Sequence, residues 1–246
     1  MARSFFRYID MASFNIWAQS LKDLLFPRLC GGCGHRLALG EQLVCARCQM
    51  TMPVETNQDW EYNRRKSQFE YSCLIRMGAF TRYERGNVAS EIVRNLKFRH
   101  HYELGEWMGR KAVLQLRDTH LFDTVDLLVP IPLTESRLHS RGFNQAEAIA
   151  RGMAAELGIP VRPDILKRLC DRESQTHFTL VQRFENADHV FTLGPHNDVQ
   201  GCHLMVVDDV MTTGTTMLGA IDVLKKIPDV RISTFAWAWA YVPAPA

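Results

Sequence analysis

A chain of 246 residues, 46% hydrophobic and 23% charged, has the composition of a globular protein and suggests neither a fibre nor a disordered chain. The net charge is +2, and the basic excess lies at the front: residues 1–66 hold 9 Lys and Arg against 6 Asp and Glu, the remainder 20 against 21. So small an excess does not by itself indicate a nucleic-acid-binding surface. No stretch reaches the ~18–20 apolar residues of a membrane span. Charges also interrupt the N-terminus too often for the apolar core of an export signal, so a cytoplasmic location is expected. In a reducing compartment, the 7 cysteines point to metal ligands or free thiols rather than disulfides.

Residues 1–26 place Phe5, Ile9, Ile16, Leu21, Leu24 and Leu25 at spacings compatible with an amphipathic helix that Pro27 ends. Its polar positions lack the Lys/Arg-rich face of a bilayer-surface helix, so it is expected to dock on its own protein. A cysteine module follows at 27–55. Cys30 and Cys33 form one C-x2-C knuckle, and Cys45 and Cys48 form a second one eleven residues later. Four thiolates from two knuckles suit a tetrahedral, closed and therefore structural Zn2+ site. A redox pair needs only one such motif. Gly31, Gly32 and Gly34 allow the tight turn of the first knuckle, and His35 is left as a surface or supporting residue. Residues 56–72 are polar, lack periodicity and read as a linker.

From Cys73 to the end, strand and helix patterns alternate. CLIRMGAF reads as a strand, Val88, Ile92 and Leu96 as a helix stripe, and Leu104, Trp107 and Leu114 as a second one. DLLVPIP is a short buried strand. Ala146, Ile149, Met153 and Leu157 mark a helix stopped by Gly158 and Pro160. HLMVV is another strand, followed by a turn, a helix through Leu218, Ile221 and Leu224, and a final strand RISTFAWAW. This order predicts an α/β domain over 73–246, a parallel sheet with helices on both faces. Cys73, Cys170 and Cys202 are expected to pack as small hydrophobes.

The segment LMVVDDVMTTGTT, 204–216, carries the chemistry. An apolar strand runs into Asp208 and Asp209, then into a Thr/Gly loop that opens a helix. Backbone amides and the helix dipole at such a loop attract a phosphate, hydroxyls of Thr212, Thr213, Thr215 and Thr216 add donors, and Gly214 permits close approach. Two acids beside a phosphate cradle would repel the ligand unless they face a sugar diol or share Mg2+, so the pattern describes a ribose 5-phosphate pocket. It is neither a Walker loop nor a G-x-G-x-x-G loop. A second element, 126–145, places a buried strand before a loop with Arg137 and Arg141, whose planar forks suit a pyrophosphate. Gly142 and Asn144 fit a turn and a cap before the next helix.

The 204–216 segment closely resembles the phosphoribosyl-pyrophosphate (PRPP) signature of type I phosphoribosyltransferases. The resemblance implies that Asp208 and Asp209 contact the ribose 2′ and 3′ hydroxyls while Thr212 to Thr216 hold the 5-phosphate. Over a wider span the chain resembles the ComF family of competence proteins. The matching strings are LLFPRLCGGC, VCARC, VPIPL, RGFNQ and the pattern Gln175, Arg183, Asn186, Phe191. That resemblance implies a type I phosphoribosyltransferase-like sheet preceded by a small zinc ribbon. Taken with the residue chemistry, Asp208, Asp209, Arg137 and Arg141 are the candidate catalytic set, and Leu133 of VPIPL joins Thr212, Thr213, Gly214, Thr215 and Thr216 as a ligand-binding candidate. The ComF resemblance implies a role in natural transformation, in which imported single-stranded DNA is handled, with competence proteins as partners. The chemistry stays open between a PRPP-using transferase with Mg2+ and a binding module that senses PRPP; the acceptor is not legible. Any DNA contact is expected at residues 1–66, where Arg28, Arg36 and Arg47 lie near the knuckles.

Overall fold

The computed structural model describes residues 27–55, 71–98, 101–169, 190–195 and 198–240. The expected N-terminal helix, most of the linker, and Cys170, Gln175, Arg183 and Asn186 lie outside them.

Four strands, β1 (Leu74–Tyr83), β2 (Leu127–Pro130), β5 (His203–Met211) and β6 (Arg231–Ala240), form a parallel sheet in the order β1-β6-β5-β2. Two three-residue strands, β3 (Leu166–Arg168) and β4 (Phe191–Leu193), pair antiparallel outside it. The helices are α1 (Ala46–Met50), α2 (Val88–Phe98), α3 (Tyr102–Leu116), α4 (Glu135–Arg141), α5 (Gln145–Leu157) and α6 (Thr215–Leu224). The anticipated alternation is present, and its physical basis is visible in β5. Met205 and Val207 join one buried cluster with Ile92, Leu104, Met108, Ile149 and Met153, whereas Leu204 and Val206 join the other with Leu166, Phe191, Leu218 and Ile221. A strand covered on both faces reads as a continuous apolar run, as this one does.

The β3–β4 pair was not anticipated, because three residues carry too little periodicity to register. Strand β5 also runs further than its apolar run suggests, through Asp208, Asp209 and Val210 to Met211, since pairing with Ala236, Ala238 and Trp239 continues past the acids. In α3 the expected stripe is rotated. Leu104, Met108, Ala112 and Leu116 are buried, while Leu114 is 53% exposed. The face turned inward contains Gly105 and Gly109, which carry no apolar signal. They exist for proximity: a Cβ on Gly109 would stand 2.0 Å from the Ile149 carbonyl oxygen, and one on Gly152 would stand 2.0 Å from that of Glu106. Helices α3 and α5 therefore touch backbone to backbone.

The cysteine module is seated on this layer. Val54 bridges Thr81, the Glu55 amide donates to the Phe80 carbonyl at 2.8 Å, and Arg82 pairs with Glu55 at 3.1 Å. Asn95 of α2 donates to the Gly31 carbonyl at 2.7 Å, and Cys30, Leu37, Val44, Cys48 and Met52 complete the cluster that holds Phe80 and Trp237.

Gly109→Ala is expected to lower the melting temperature by several degrees. The clash forces the helices apart at a cost of roughly 1–3 kcal/mol, which outweighs alanine's intrinsic helical advantage of ~1 kcal/mol. Thermal unfolding followed by circular dichroism checks this; a variant as stable as the parent would show that α3 and α5 are not this close.

Candidate functional site

Strands β2 and β5 are neighbours, paired from Leu127 with Leu204 to Pro130 with Val207, and the Ile131 amide continues the ladder to the Val207 carbonyl at 2.9 Å. Their C-terminal ends therefore open at one edge. The chain leaves β2 toward the face where α5 packs on α3, and leaves β5 toward the face where α6 lies. In open α/β sheets such a divergence creates a crevice at the carboxyl edge, the usual seat of a ligand.

The residues singled out from the sequence lie on the segments at or just after these two strand ends. Asp208 and Asp209 are the last polar residues of β5 before the loop Thr212–Gly214, and Gly214 has φ +78°, the left-handed conformation that a side chain would strain. Gly214 occupies the cap of α6 and supplies no side-chain cap, so the first-turn amides remain available to an anion. Thr213 and Thr215 share a hydroxyl hydrogen bond of 2.7 Å, with Thr212 and Thr213 exposed and Thr216 half-buried.

On the β2 side, Leu133 is half-buried in the segment joining β2 to α4. The two arginines are not on a loop: Arg137 and Arg141 lie on the seven-residue α4. The reason is local. Thr134 caps the helix by accepting from the Arg137 amide, and Gly142, at φ +77°, ends it. Arg141 Nη1 donates to Gln145 Oε1 at 3.0 Å. Asn144 performs the expected capping, accepting from the Ala146 amide at 3.1 Å, and its amide also donates to the Ile131 carbonyl at 3.0 Å, pinning the loop after β2.

Sequence reasoning missed the partners of the acids. Successive side chains of a strand leave opposite faces. Asp209 turns to the α2 side, where Lys97 Nζ meets its Oδ2 at 2.8 Å. Asp208 Oδ1 accepts from the Asp209 amide at 2.8 Å. Burial, and next the charge of Asp209, push the Asp208 carboxyl up to about 7; the Asp209 amide, Lys97 and Arg168 pull the other way. Arg168, at the end of β3, also lies 5.4 Å from the centre of the Phe191 ring. Lys97 and Arg168 come from distant points of the chain, and no local motif marks either.

At the front, the Sγ atoms of Cys30, Cys33, Cys45 and Cys48 all lie within 4.8 Å of one another. A tetrahedral ion with sulfur at ~2.3 Å holds its ligands ~3.8 Å apart. The Cys33 and Cys45 sulfurs are 3.8 Å apart. The four residues therefore fit one metal ion such as zinc. Burial pushes the Cys30 thiol up, but the amides of Cys45, Cys33 and Gly32 outweigh it and bring it down to about 7; burial raises Cys48. The amides of Gly32 and Cys45 lie 3.3 and 3.2 Å from the Cys30 sulfur, the pattern that steadies a metal-bound thiolate. His35 is exposed. Gly34, at φ +72°, makes the turn, while Gly31 and Gly32 admit Leu104 and the Cys48 sulfur. Cys73 and Cys202 are half-buried against the second cluster. Among the described residues, no helix is long and apolar enough to cross a membrane.

Comparison with known proteins agrees with this architecture. The family model of the phosphoribosyl transferase domain matches residues 140–235, which include Arg141, the acid pair and the Thr/Gly loop. Competence protein F of Haemophilus influenzae is 28% identical over 155 residues, covering 61% of this chain and 68% of that protein. The DNA utilization protein YhgH of Escherichia coli is 25% identical over 213 residues, covering 82% and 93%. The chain is a homologue of the ComF proteins. It joins a type I phosphoribosyltransferase fold to a four-cysteine module that precedes it. A solved purine phosphoribosyltransferase from Pyrococcus horikoshii overlaps 57% of this ComF homologue and 94% of its own chain, at 16% identity and a TM-score of 0.31.

The purified protein is expected to contain about one zinc per chain, released when Cys45 and Cys48 are both replaced by Ser. Elemental analysis checks this; zinc retained by the double variant would place the metal elsewhere.

Proposed function

We propose that this ComF homologue binds PRPP, or another ribose 5-phosphate ligand, and acts in the handling of imported single-stranded DNA during natural transformation. The observation that carries the ligand reading is the continuity of β5 with α6: two carboxylates at the carboxyl edge of a buried strand, then a Thr/Gly loop whose helix has no side-chain cap. Asp208 and Asp209 accept from the ribose hydroxyls. The amides and hydroxyls of Thr212 to Thr216 take the 5-phosphate, with Leu133 and the segment after β2 forming the opposite wall. Arg137 and Arg141 face the pyrophosphate and stabilise its charge if it leaves. The carboxylate oxygens of Asp208 and Asp209 are hard donors of the kind that would hold Mg2+, which, bound with PRPP, would supply neutralisation of the pyrophosphate charge. The same pocket serves a transferase that displaces pyrophosphate or a module that only senses PRPP.

The biological role rests on the relatives, one named for competence and one for DNA utilization. The zinc-type module, with Arg36 and Arg47 exposed on it, is the surface assigned to single-stranded DNA or to other competence proteins, in the cytoplasm.

Two measurements test the proposal together. Calorimetric titration with PRPP and Mg2+ should show binding to the parent and a loss of roughly tenfold or more for Asp208→Asn, Asp209→Asn, since each lost charged hydrogen bond is worth about 1.5–3 kcal/mol. In a transformable host, deletion should depress transformation and spare growth, and the same double variant should fail to restore it. Unchanged affinity would return the acids to a structural role; full rescue would leave a scaffold that works without its pocket.

A further inference from the structure

Resting on that reading of the pocket, we infer that Lys97 is a resident counter-ion that competes with a divalent cation for Asp209.

The placement of Lys97 is built, not incidental. It lies in the last turn of α2, where the carbonyl end of the helix favours a cation. Ile92, Val93 and Leu96 anchor that helix in the core. Asn95, two residues before Lys97, hydrogen-bonds the Gly31 carbonyl, so the helix that aims Lys97 at β5 is also fastened to the cysteine module. The side chains of Lys97 and Asp209 are 24% and 12% exposed. At that depth water screens an ion pair far less than on an open surface, and the partners lose more if separated without replacement.

The competition follows from geometry. Asp209 Oδ2 already accepts from Lys97 Nζ at 2.8 Å, and Asp208 Oδ1 already accepts from the Asp209 amide. A magnesium or manganese ion needs oxygen ligands at ~2.0–2.1 Å and shares no lone pair with an ammonium lying on the same oxygen. The lysine therefore neutralises Asp209 while the crevice is empty. It must yield that oxygen, or move along it, before a metal can use it. An arriving phosphate offers Lys97 a new anionic partner, so metal entry becomes coupled to ligand entry.

Lys97→Met removes the charge while keeping the length and the helix propensity. With Mn2+ as the probe and no nucleotide or sugar phosphate present, the variant should bind the ion about tenfold more tightly than the parent, by titration of free Mn2+ with electron paramagnetic resonance. Lys97→Arg should behave like the parent, and Asp209→Asn placed in the Lys97→Met background should abolish the gain. Lys97→Gln, with circular dichroism on each variant, covers the case in which Met disturbs the helix. A residue that only braced α2 would not raise metal affinity when removed. Equal Mn2+ affinity in the parent and in folded Met and Gln variants would overturn the inference. Failure of the pocket reading shows itself differently, as absence of PRPP binding in the parent; a tighter Mn2+ site in Lys97→Met alongside that absence supports the counter-ion and overturns only the ligand.

Discussion

Everything at the carboxyl edge depends on β5 being hydrogen-bonded on both sides and buried on both faces. Pairing with β2 and β6 holds the strand straight through its apolar half and, on the β6 side, past the acids to Met211. The acids are thus delivered at the mouth of the sheet on a rigid rail and not on a loop. A rail of this kind also dictates their divergence: alternate side chains meet different layers, which is why Asp209 finds Lys97 from one side while Asp208 is steadied by backbone.

The layer behind Lys97 connects the two parts of the chain. Helix α2 lies between the cysteine module and β5, and α3 is drawn onto α5 by glycines at their contact. Cys30, Cys48 and Met52 share a cluster with Phe80 and Trp237 of the sheet. Loss of the metal would therefore loosen the surface on which α2 rests, and through α2 the position of Lys97. A metal with four cysteine ligands has no open position for chemistry, so any influence on the proposed pocket would be mechanical.

How much of this could be read from the chain follows from how local each feature is. The acid pair, the Thr/Gly loop and the helix after it are contiguous, so LMVVDDVMTTGTT made that strand, turn and helix legible, and the paired knuckles did the same for the cysteine cluster. The four-strand parallel sheet was likewise legible, because strands buried on both faces leave unbroken apolar runs. Features assembled across the chain were not. Lys97 ends an ordinary amphipathic helix, and Arg168 ends a three-residue strand too short to announce itself. The α3 stripe was misjudged at Leu114 because the true contact face includes Gly105 and Gly109, which hydrophobic periodicity does not register. The two arginines were assigned to a loop because a seven-residue helix between a Thr cap and a glycine stop looks like one.

In the proposed pocket the acid pair faces a sugar diol while the loop holds the phosphate at its other end. Comparing the affinity of ribose 5-phosphate with that of 2-deoxyribose 5-phosphate, both with Mg2+, isolates the diol and leaves the phosphate untouched. Loss of the 2-hydroxyl should weaken binding by roughly tenfold or more, since a hydrogen bond to a charged group is worth about 1.5–3 kcal/mol. Equal affinity for the two sugars would contradict it.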